Sequence, residues 1–266
     1  MKLIVVGPRG KMGKLITQIA ANREDMELVA GVAPKGRDYI GSDLGTATMV
    51  GRELGVPVVD DLESVIEKCD VIIDFSTKEM AMDVLDLAIK YKKGLVCGTT
   101  GFSAEEMQRF KDAASEIPML YAANTSKLVN VMNKLLALVA STVGEELDIE
   151  ILEMHDTWKK DAPSGTSKEM GETMAHALGK ELSEVAVFGR EGVSPRVPGT
   201  IGYHSLRAGN IPSSHTVFFG GMGERLEITH HSYNWECFAR GAVDCAAYLK
   251  DKAPGYYTIK DVLNLS

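Results

Sequence analysis

The sequence predicts an α/β protein of two domains, and three observations lead to this prediction. The chain has 266 residues, more than one small hydrophobic core requires. Its first 125 residues alternate short apolar runs with amphipathic stretches, the rhythm of parallel strands joined by helices. Beyond about residue 126 the apolar runs are longer and alternate in polarity, which is typical of an antiparallel or mixed sheet with one face covered by helices.

The first domain is predicted to contain five buried parallel strands, because the runs are short and rich in Val, Ile and Leu. These strands are Leu3–Val6, Leu28–Val32, Val71–Phe75, Gly94–Cys97 and Met119–Ala122. Helical patterns lie between them at 11–22, 62–68, 78–91 and 103–114. Open sheets of this kind bind ligands at the carboxyl ends of their strands, so the loops there are the candidate sites.

A glycine-rich loop follows the first strand and precedes an apolar helix. It reads G-P-R-G-K-M-G from Gly7 to Gly13, with Arg9 where the usual dinucleotide fingerprint has its second glycine. Strand, glycine turn and helix together predict pyrophosphate binding at the helix N-terminus. The alternative is a tight turn that only packs the helix on the strand. The predicted cofactor contacts are Gly7, Pro8, Arg9, Gly10, Lys11 and Met12.

The end of the second strand bears on the choice of cofactor. An acidic residue there would bind the ribose 2′-hydroxyl of NAD, but the sequence reads A-P-K-G-R from Ala33 to Arg37. Lys35 and Arg37 suit a 2′-phosphate instead. We therefore predict NADPH as the preferred cofactor with NADH possible, against the alternative that both residues are ordinary surface charges.

Two further loops at predicted strand ends are candidate contacts for the nicotinamide. They offer small residues, hydroxyl groups and exposed backbone. The predicted contacts are Gly98, Thr99 and Thr100 after the fourth strand, and Ala122, Ala123, Asn124 and Thr125 after the fifth.

The second domain begins with a long helix from Ser126 and contains the candidate catalytic residues. Leu147, Ile149 and Ile151 alternate with more polar residues and predict a strand that places His155 on the Ile149 face. Asp156 would then point the other way. Lys159 follows four residues after the histidine, and the two form the predicted catalytic pair, although either alone is more often a surface or packing residue.

A turn and helix start come directly after this pair. Met170, Met174 and Leu178 recur at helical spacing, and Thr166 with Glu169 predicts a capping box, so a helix should begin near Thr166. Its first turn presents backbone N–H groups to an anion. The predicted substrate-binding residues are Asp156, Ser164, Gly165 and Thr166.

Composition excludes several classes of partner. A formal charge of −8 and a pI near 5.3 argue against nucleic acid and anionic membranes. The four cysteines lack C-x-x-C spacing, so neither a metal site nor a disulfide framework is indicated. The N-terminal apolar run is too short for a signal peptide, and no run of about 18 apolar residues occurs, so the predicted location is cytoplasmic.

Seven motifs in chain order resemble those of the 4-hydroxy-tetrahydrodipicolinate reductase family, long called dihydrodipicolinate reductases. They are G-x-x-G-x-M-G, G-T-T-G, A-A-N-x-S, E-x-H-x-x-x-K-x-D-A-P-S-G-T, R-A-G-N-I at 207–211, G-E-R-L-E-I-T-H at 223–230 and D-V-L-N-L near the C-terminus.

The resemblance implies a fold, an activity and an assembly. The fold is a Rossmann-like dinucleotide-binding domain of residues 1–126 and 236–266, with a central mixed α+β domain at 127–235 for substrate binding and tetramerisation. The activity is NAD(P)H-dependent reduction of 4-hydroxy-tetrahydrodipicolinate, a small cyclic dicarboxylate, in diaminopimelate and lysine biosynthesis, by a homotetramer. The implied roles are acid/base for His155, proton donor and substrate cation for Lys159, and backbone anchors for Gly165 and Thr166.

Three positions depart from the family pattern. Asp156 stands where a second histidine is usual, Thr125 replaces an aromatic residue, and Ala33 replaces an acid at the end of the second strand. Asp156 would repel a dicarboxylate unless it turns away or pairs with Lys159 or Lys160. It keeps open a related NAD(P)-dependent imine or amino-acid dehydrogenase with another substrate. A non-catalytic NADP(H) sensor is the alternative from a different class.

Overall fold

A computed structural model describes residues 1–265. In this range the chain forms twelve β-strands, nine α-helices and short 3₁₀ turns. The strands are β1 Lys2–Val6, β2 Glu27–Val32, β3 Val58–Val59, β4 Val71–Asp74, β5 Gly94–Cys97, β6 Pro118–Tyr121, β7 Asp148–His155, β8 Ala186–Phe188, β9 Ile201–Arg207, β10 Ser213–Gly221, β11 Glu224–Ser232 and β12 Gly255–Tyr257. The helices are α1 Lys11–Ala20, α2 Leu44–Ala47, α3 Lys78–Lys90, α4 Ala104–Ala113, α5 Lys127–Val143, α6 Gly165–Ala177, α7 Leu182–Val185, α8 Glu236–Leu249 and α9 Ile259–Val262.

The chain divides into two units. The first consists of Met1–Lys127 together with the segment that begins at Trp235, and the second of Leu128–Asn234. We refer to them as the first and second units.

The first unit is built on a seven-stranded sheet in the order β12-β6-β5-β4-β1-β2-β3. Every neighbouring pair in this order is parallel. Helices α1 and α8 cover one face and α3 and α4 the other, which explains why strands such as β1 are almost wholly apolar. The five strands predicted from the sequence are β1, β2, β4, β5 and β6. The predicted Rossmann-like architecture is confirmed.

One predicted helix of this unit is wrong. Residues 62–68 form turns that end in a single 3₁₀ turn at Ile66–Lys68. Leu62, Val65 and Ile66 are all buried, as the helical spacing required. The turns and the 3₁₀ turn together already bury the three side chains, so no continuous helix is needed to cover them.

The second unit contains a five-stranded mixed sheet in the order β11-β10-β7-β9-β8. β7 pairs antiparallel with β10 and parallel with β9. Helices α5 and α6 bury their apolar faces on the side of the sheet that carries Ile149, Ile151 and Phe219. This agrees with the predicted mixed sheet with one face covered by helices. Of the residues that the structure describes, no helix is both long and apolar enough to cross a bilayer.

Candidate active site

Strand β7 delivers the candidate acid/base to the helix-covered face of its sheet. Burial alternates along the strand, and Ile149, Ile151, Glu153 and His155 are its buried residues. His155 therefore lies on the Ile149 face, as the alternation predicts. The buried face also carries a second ionisable residue, Glu153, two residues earlier.

The Glu153 carboxylate is enclosed by hydrogen-bond donors. Its Oε2 lies 2.5 Å from His155 Nδ1, and the two terminal guanidinium nitrogens of Arg207 donate to its oxygens at 2.8 and 2.9 Å. The backbone N–H of Ser164 donates to Oε1 at 3.3 Å. Burial works to raise the pKa of this carboxyl, but the bonds from His155 and Arg207 outweigh it and lower the pKa from 4.5 to about 2. Glu153 is therefore a carboxylate at neutral pH.

Helix α6 begins one residue before the predicted position, with a different cap. Ser164 is the N-cap, and its hydroxyl accepts a hydrogen bond from the Ser167 N–H at 3.1 Å. The predicted capping box of Thr166 with Glu169 is wrong, because Thr166 already lies inside the first turn. Sequence patterns could not separate two hydroxyl residues two positions apart, either of which suits a cap.

The start of α6 is open to a ligand. A Cβ placed on Gly165 would meet no atom within 4 Å, and Gly165 is exposed while Thr166 is half-buried. No acidic side chain occupies the first turn. The positive end of the helix dipole is thus available to an anion at Gly165.

His215 lies beside this helix start. Its Nε2 is 3.1 Å from the Ser164 hydroxyl, and its ring stands edge-on to the His155 ring with centroids 5.3 Å apart. Burial, reinforced by the neighbouring His155, lowers the pKa of His215 from 6.5 to about 3. His215 is therefore neutral at physiological pH.

The loop after β7 holds Asp156 and Lys159 in separate contacts. The Asp156 carboxylate accepts the backbone N–H groups of Trp158 and Lys159 at 2.9 and 3.1 Å, closing a turn. The Lys159 ammonium lies 2.9 Å from Asp161 Oδ1, and this bond lowers the pKa of Asp161. The two candidate residues are thus neighbours in one turn, and the Asp156 carboxylate is directed to its backbone.

Three residues of this face were not selected from the sequence, namely Glu153, Arg207 and His215. Sequence signals could have identified the first two. Glu153 precedes His155 by two residues and so shares its face, and Arg207 opens the R-A-G-N-I motif. His215 carries no local signal, because its proximity depends on the pairing of β10 with β7.

The backbone of the first unit's loop requires its glycines. Gly7 has φ +71°, a conformation that favours glycine, and a Cβ on Gly13 would lie 2.1 Å from the Gly7 carbonyl oxygen. Gly10 is the N-cap of α1 and supplies no capping side chain, so the first turn presents its N–H groups at the end of β1. Pro8, Arg9, Lys11 and Met12 lie in the same loop and first turn. The residues fit a pyrophosphate group.

Three more predicted contacts lie at the carboxyl end of β5, where a buried acid holds their loop. Asp74, the last residue of β4, accepts a hydrogen bond from the Thr99 hydroxyl at 2.7 Å and one from the Ser76 hydroxyl at 2.5 Å. Burial raises the pKa of Asp74, against the opposing effect of these bonds. Gly98 packs so closely on Phe75 that a Cβ would lie 2.1 Å from its ring, and Thr100 is exposed.

The remaining predicted cofactor residues lie after β6 and β2. Ala122 is buried and Ala123 exposed, and Asn124 accepts the N–H of Ser126 through its side chain. The Thr125 hydroxyl donates to the Phe238 carbonyl of α8 at 2.7 Å. Lys35 is exposed and, within residues 1–265, its side chain makes no hydrogen bond or ion pair. All four loops thus leave the same edge of the parallel sheet.

A metal centre is not evident in the described range. Residues 1–265 contain no group of three or more His, Cys, Asp or Glu side chains placed to hold a metal ion. Within residues 1–265 no cysteine forms a disulfide, and Cys69, Cys97 and Cys245 are buried.

Two family models match the chain in succession. "Dihydrodipicolinate reductase, N-terminus" matches residues 1–125, and "Dihydrodipicolinate reductase, C-terminus" matches residues 128–263. Among curated proteins, the 4-hydroxy-tetrahydrodipicolinate reductase of Hahella chejuensis is 43% identical over 99% of each chain. That of Geobacter sulfurreducens is also 43% identical over 99% of each chain.

Solved structures share the fold. A dipicolinate-bound dihydrodipicolinate reductase from Paenisporosarcina sp. TG-14 is 27% identical with a TM-score of 0.77, covering 97% of both chains. The amine dehydrogenase of Mycobacterium smegmatis has a TM-score of 0.63 at 13% identity, over 97% of this chain and 95% of its own, and so shares the fold alone. With both family models matched across nearly its whole length, this chain belongs to the dihydrodipicolinate reductase family.

Proposed function

We propose that this protein reduces 4-hydroxy-tetrahydrodipicolinate to tetrahydrodipicolinate with a reduced nicotinamide dinucleotide, in diaminopimelate and lysine biosynthesis. The main support for this proposal is the arrangement of three features in the second unit. His155, Lys159 and the open start of α6 belong to one network of contacts, at the positions of the family motif. A proton donor, a cation and an anion-binding helix start suit a cyclic dicarboxylate imine.

The substrate carboxylate is assigned to the start of α6. Gly165 and Thr166 would donate backbone N–H groups to it, and Ser164 shapes the turn as the N-cap. Fixed N–H dipoles bind a carboxylate without the flexibility of a lysine side chain. Asp156 is assigned to the turn that carries Lys159, because its carboxylate already accepts two backbone N–H groups.

Lys159 is assigned as the proton donor and His155 as the group that orients the substrate or replenishes the proton. The ammonium lies beside the exposed carboxylate of Asp161 and can exchange this partner for a substrate carboxylate. Overall the substrate loses its hydroxyl group as water and gains one hydride and one proton. A positioned proton donor contributes about 10²–10⁴-fold to such a rate.

The cofactor residues fit the group that the family uses. Gly7 to Met12 would hold the pyrophosphate at the start of α1, and the loops 98–100 and 122–125 would hold the nicotinamide end. When bound, the reduced nicotinamide supplies the hydride. We propose NADPH as the preferred form, because the end of β2 carries no acid and Lys35 is exposed without a partner among residues 1–265.

The test is a steady-state assay of the purified protein with enzymatically generated 4-hydroxy-tetrahydrodipicolinate, following NADPH and NADH oxidation by absorbance. We expect oxidation that depends on the substrate, with a higher kcat/KM for this compound than for other cyclic and acyclic imines. A protein that binds NADPH but oxidises none of it with any imine would be a sensor. Faster turnover of another imine would make it a different dehydrogenase.

We also propose a homotetramer in the cytoplasm. The face of the second sheet opposite α5 and α6 carries apolar side chains, among them Phe218 and the 46% exposed Leu206. Such a face is commonly covered by another subunit. The acidic pI and the buried thiols of Cys69, Cys97 and Cys245 suit the cytoplasm. Sedimentation equilibrium of the purified protein tests the assembly, and cell fractionation tests the location.

A further inference from the structure

The Glu153 carboxylate connects three parts of the candidate site. It binds the imidazole of His155, the guanidinium of Arg207 and the backbone N–H of Ser164 at the cap of α6. We infer that Glu153 is a positioning residue that fixes the His155 ring and the Arg207 side chain for the reaction. This inference rests on the proposed function.

Burying the charge of Glu153 costs free energy, which the surrounding hydrogen-bond donors must offset. The Glu153 side chain is only 1% exposed, and a charge buried to this degree is expensive unless several donors surround it. Here the donors are His155, Arg207 and the helix-start N–H of Ser164, together with the Ser205 side chain of β9. Replacing Glu153 by an apolar side chain would leave the His155 ring, the Arg207 guanidinium and the Ser164 N–H without this acceptor.

The contact with His155 selects one state of the imidazole. Nδ1 faces the carboxylate at 2.5 Å, so Nδ1 carries a proton, and the ring makes no other hydrogen bond among residues 1–265. In the neutral ring Nε2 is then the acceptor, and in the charged ring Nε2–H is the donor. Glu153 thereby directs the proton-exchanging nitrogen away from the strand.

The contact with Arg207 extends to the proposed proton donor. Arg207 Nη2 donates to Glu153 and also to the Asp161 carbonyl oxygen at 2.6 Å, and Nη1 donates to the Leu206 carbonyl at 2.7 Å. Both terminal nitrogens of the guanidinium are therefore held by hydrogen bonds. Asp161 in turn pairs with Lys159 at 2.9 Å, so a chain of contacts runs from Glu153 to the ammonium.

The same strand supplies a matched control. Glu150 also accepts hydrogen bonds from a histidine and from arginine side chains, namely His204 at 2.8 Å, Arg190 at 2.7 Å and Arg196 at 2.7 Å. It lies on the opposite face of β7, away from His155. Substituting Glu150 removes a similar charge and a similar set of bonds without touching the candidate site.

The first experiment measures the His155 tautomer by ¹⁵N NMR of protein labelled at histidine, at a pH where the rings are neutral. The His155 signals are assigned by their loss in His155→Asn. We expect Nδ1–H in the wild type and in Glu150→Gln, and a shift toward Nε2–H in Glu153→Ala. An unchanged tautomer in Glu153→Ala would overturn the inference, whatever the enzyme assay shows.

The second experiment compares kinetics. Glu153→Ala should lower kcat about 10–100-fold, the range seen when the hydrogen-bond partner of a metal-binding histidine is removed. KM for NADPH should stay unchanged. Glu153→Gln keeps the shape and should lose less. Equal losses in Glu150→Gln and Glu153→Gln would overturn the inference. Circular dichroism confirms folding, and if Glu153→Ala does not fold, the kinetic comparison of Glu153→Gln with Glu150→Gln decides the inference.

The two hypotheses fail in different ways. A wild-type protein that never oxidises NADPH with the substrate contradicts the proposed function but leaves the tautomer measurement valid. An active wild type whose His155 tautomer ignores Glu153 contradicts only the positioning role.

Discussion

The Thr99 hydroxyl donates a hydrogen bond at 2.7 Å to Asp74, an acid with no exposed surface at the end of the neighbouring strand. The same hydroxyl accepts the Ser76 N–H at 3.0 Å. One side chain therefore joins the ends of β4 and β5. The loop that we assign to the nicotinamide is thus fixed by a buried carboxylate.

Thr99→Val should weaken both the fold and cofactor binding. Valine keeps the shape but removes the bonds to Asp74 and Ser76, and a buried polar group left with too few partners costs about 1–3 kcal/mol. Chemical denaturation measures this loss, and fluorescence titration with NADPH should show a higher Kd. Thr46→Val is the control, because Thr46 of α2 is exposed and lies outside the loops assigned to the cofactor. Equal Kd values for the two variants would contradict the role of the buried contact.

Lys159→Ala should lower kcat about 10²–10⁴-fold, the usual contribution of a positioned proton donor. Lys160→Ala removes the same charge one position later, at an exposed residue, and should leave kcat near the wild-type value. Turnover with saturating NADPH and substrate measures both. Near-wild-type turnover in Lys159→Ala would show that the proton comes from elsewhere.

Lys35→Ala should reduce the preference for NADPH. A charge-assisted bond to a phosphate is worth about 1.5–3 kcal/mol, so Kd for NADPH should rise roughly ten-fold or more while Kd for NADH stays unchanged. Lys68→Ala, an exposed lysine of the same unit, controls for net charge. Calorimetric titration with each cofactor measures the effect. An equal change for both cofactors would place Lys35 away from the 2′-phosphate.

His215 should make the fold sensitive to mild acid. Its folded pKa of about 3 lies below the ordinary 6.5, so between these values the unfolded chain binds a proton that the folded chain does not. Stability from this residue is fully present above pH 6.5 and is lost as pH falls toward 3. The free energy of unfolding should therefore fall by up to about 1.4 kcal/mol per pH unit more than in His215→Gln.

Urea denaturation at several pH values between 4 and 7 measures this difference (about the range in which a histidine titrates). His176→Gln, which replaces an exposed histidine of α6, should follow the wild type. If His215→Gln also runs parallel to the wild type, the buried ring is not the source of acid sensitivity.

The sequence by itself determined the parallel sheet, the glycine loop and the face on which His155 lies. These are local properties, because apolar periodicity sets which side of an element is buried and a glycine turn needs only its own residues. The Ile149, Ile151 and His155 spacing is one example, and the Gly7–Gly13 turn is another.

Only the tertiary structure decided which distant residues complete the site. His215 and Arg207 reach Glu153 and His155 because β10 and β9 flank β7, and Thr99 reaches Asp74 because β5 lies beside β4. Strand order and register are set by the burial of whole sheet faces, so no single segment encodes them. The choice of Ser164 over Thr166 as the cap was decided in the same way, by the Glu153 and His215 contacts that hold Ser164 in place.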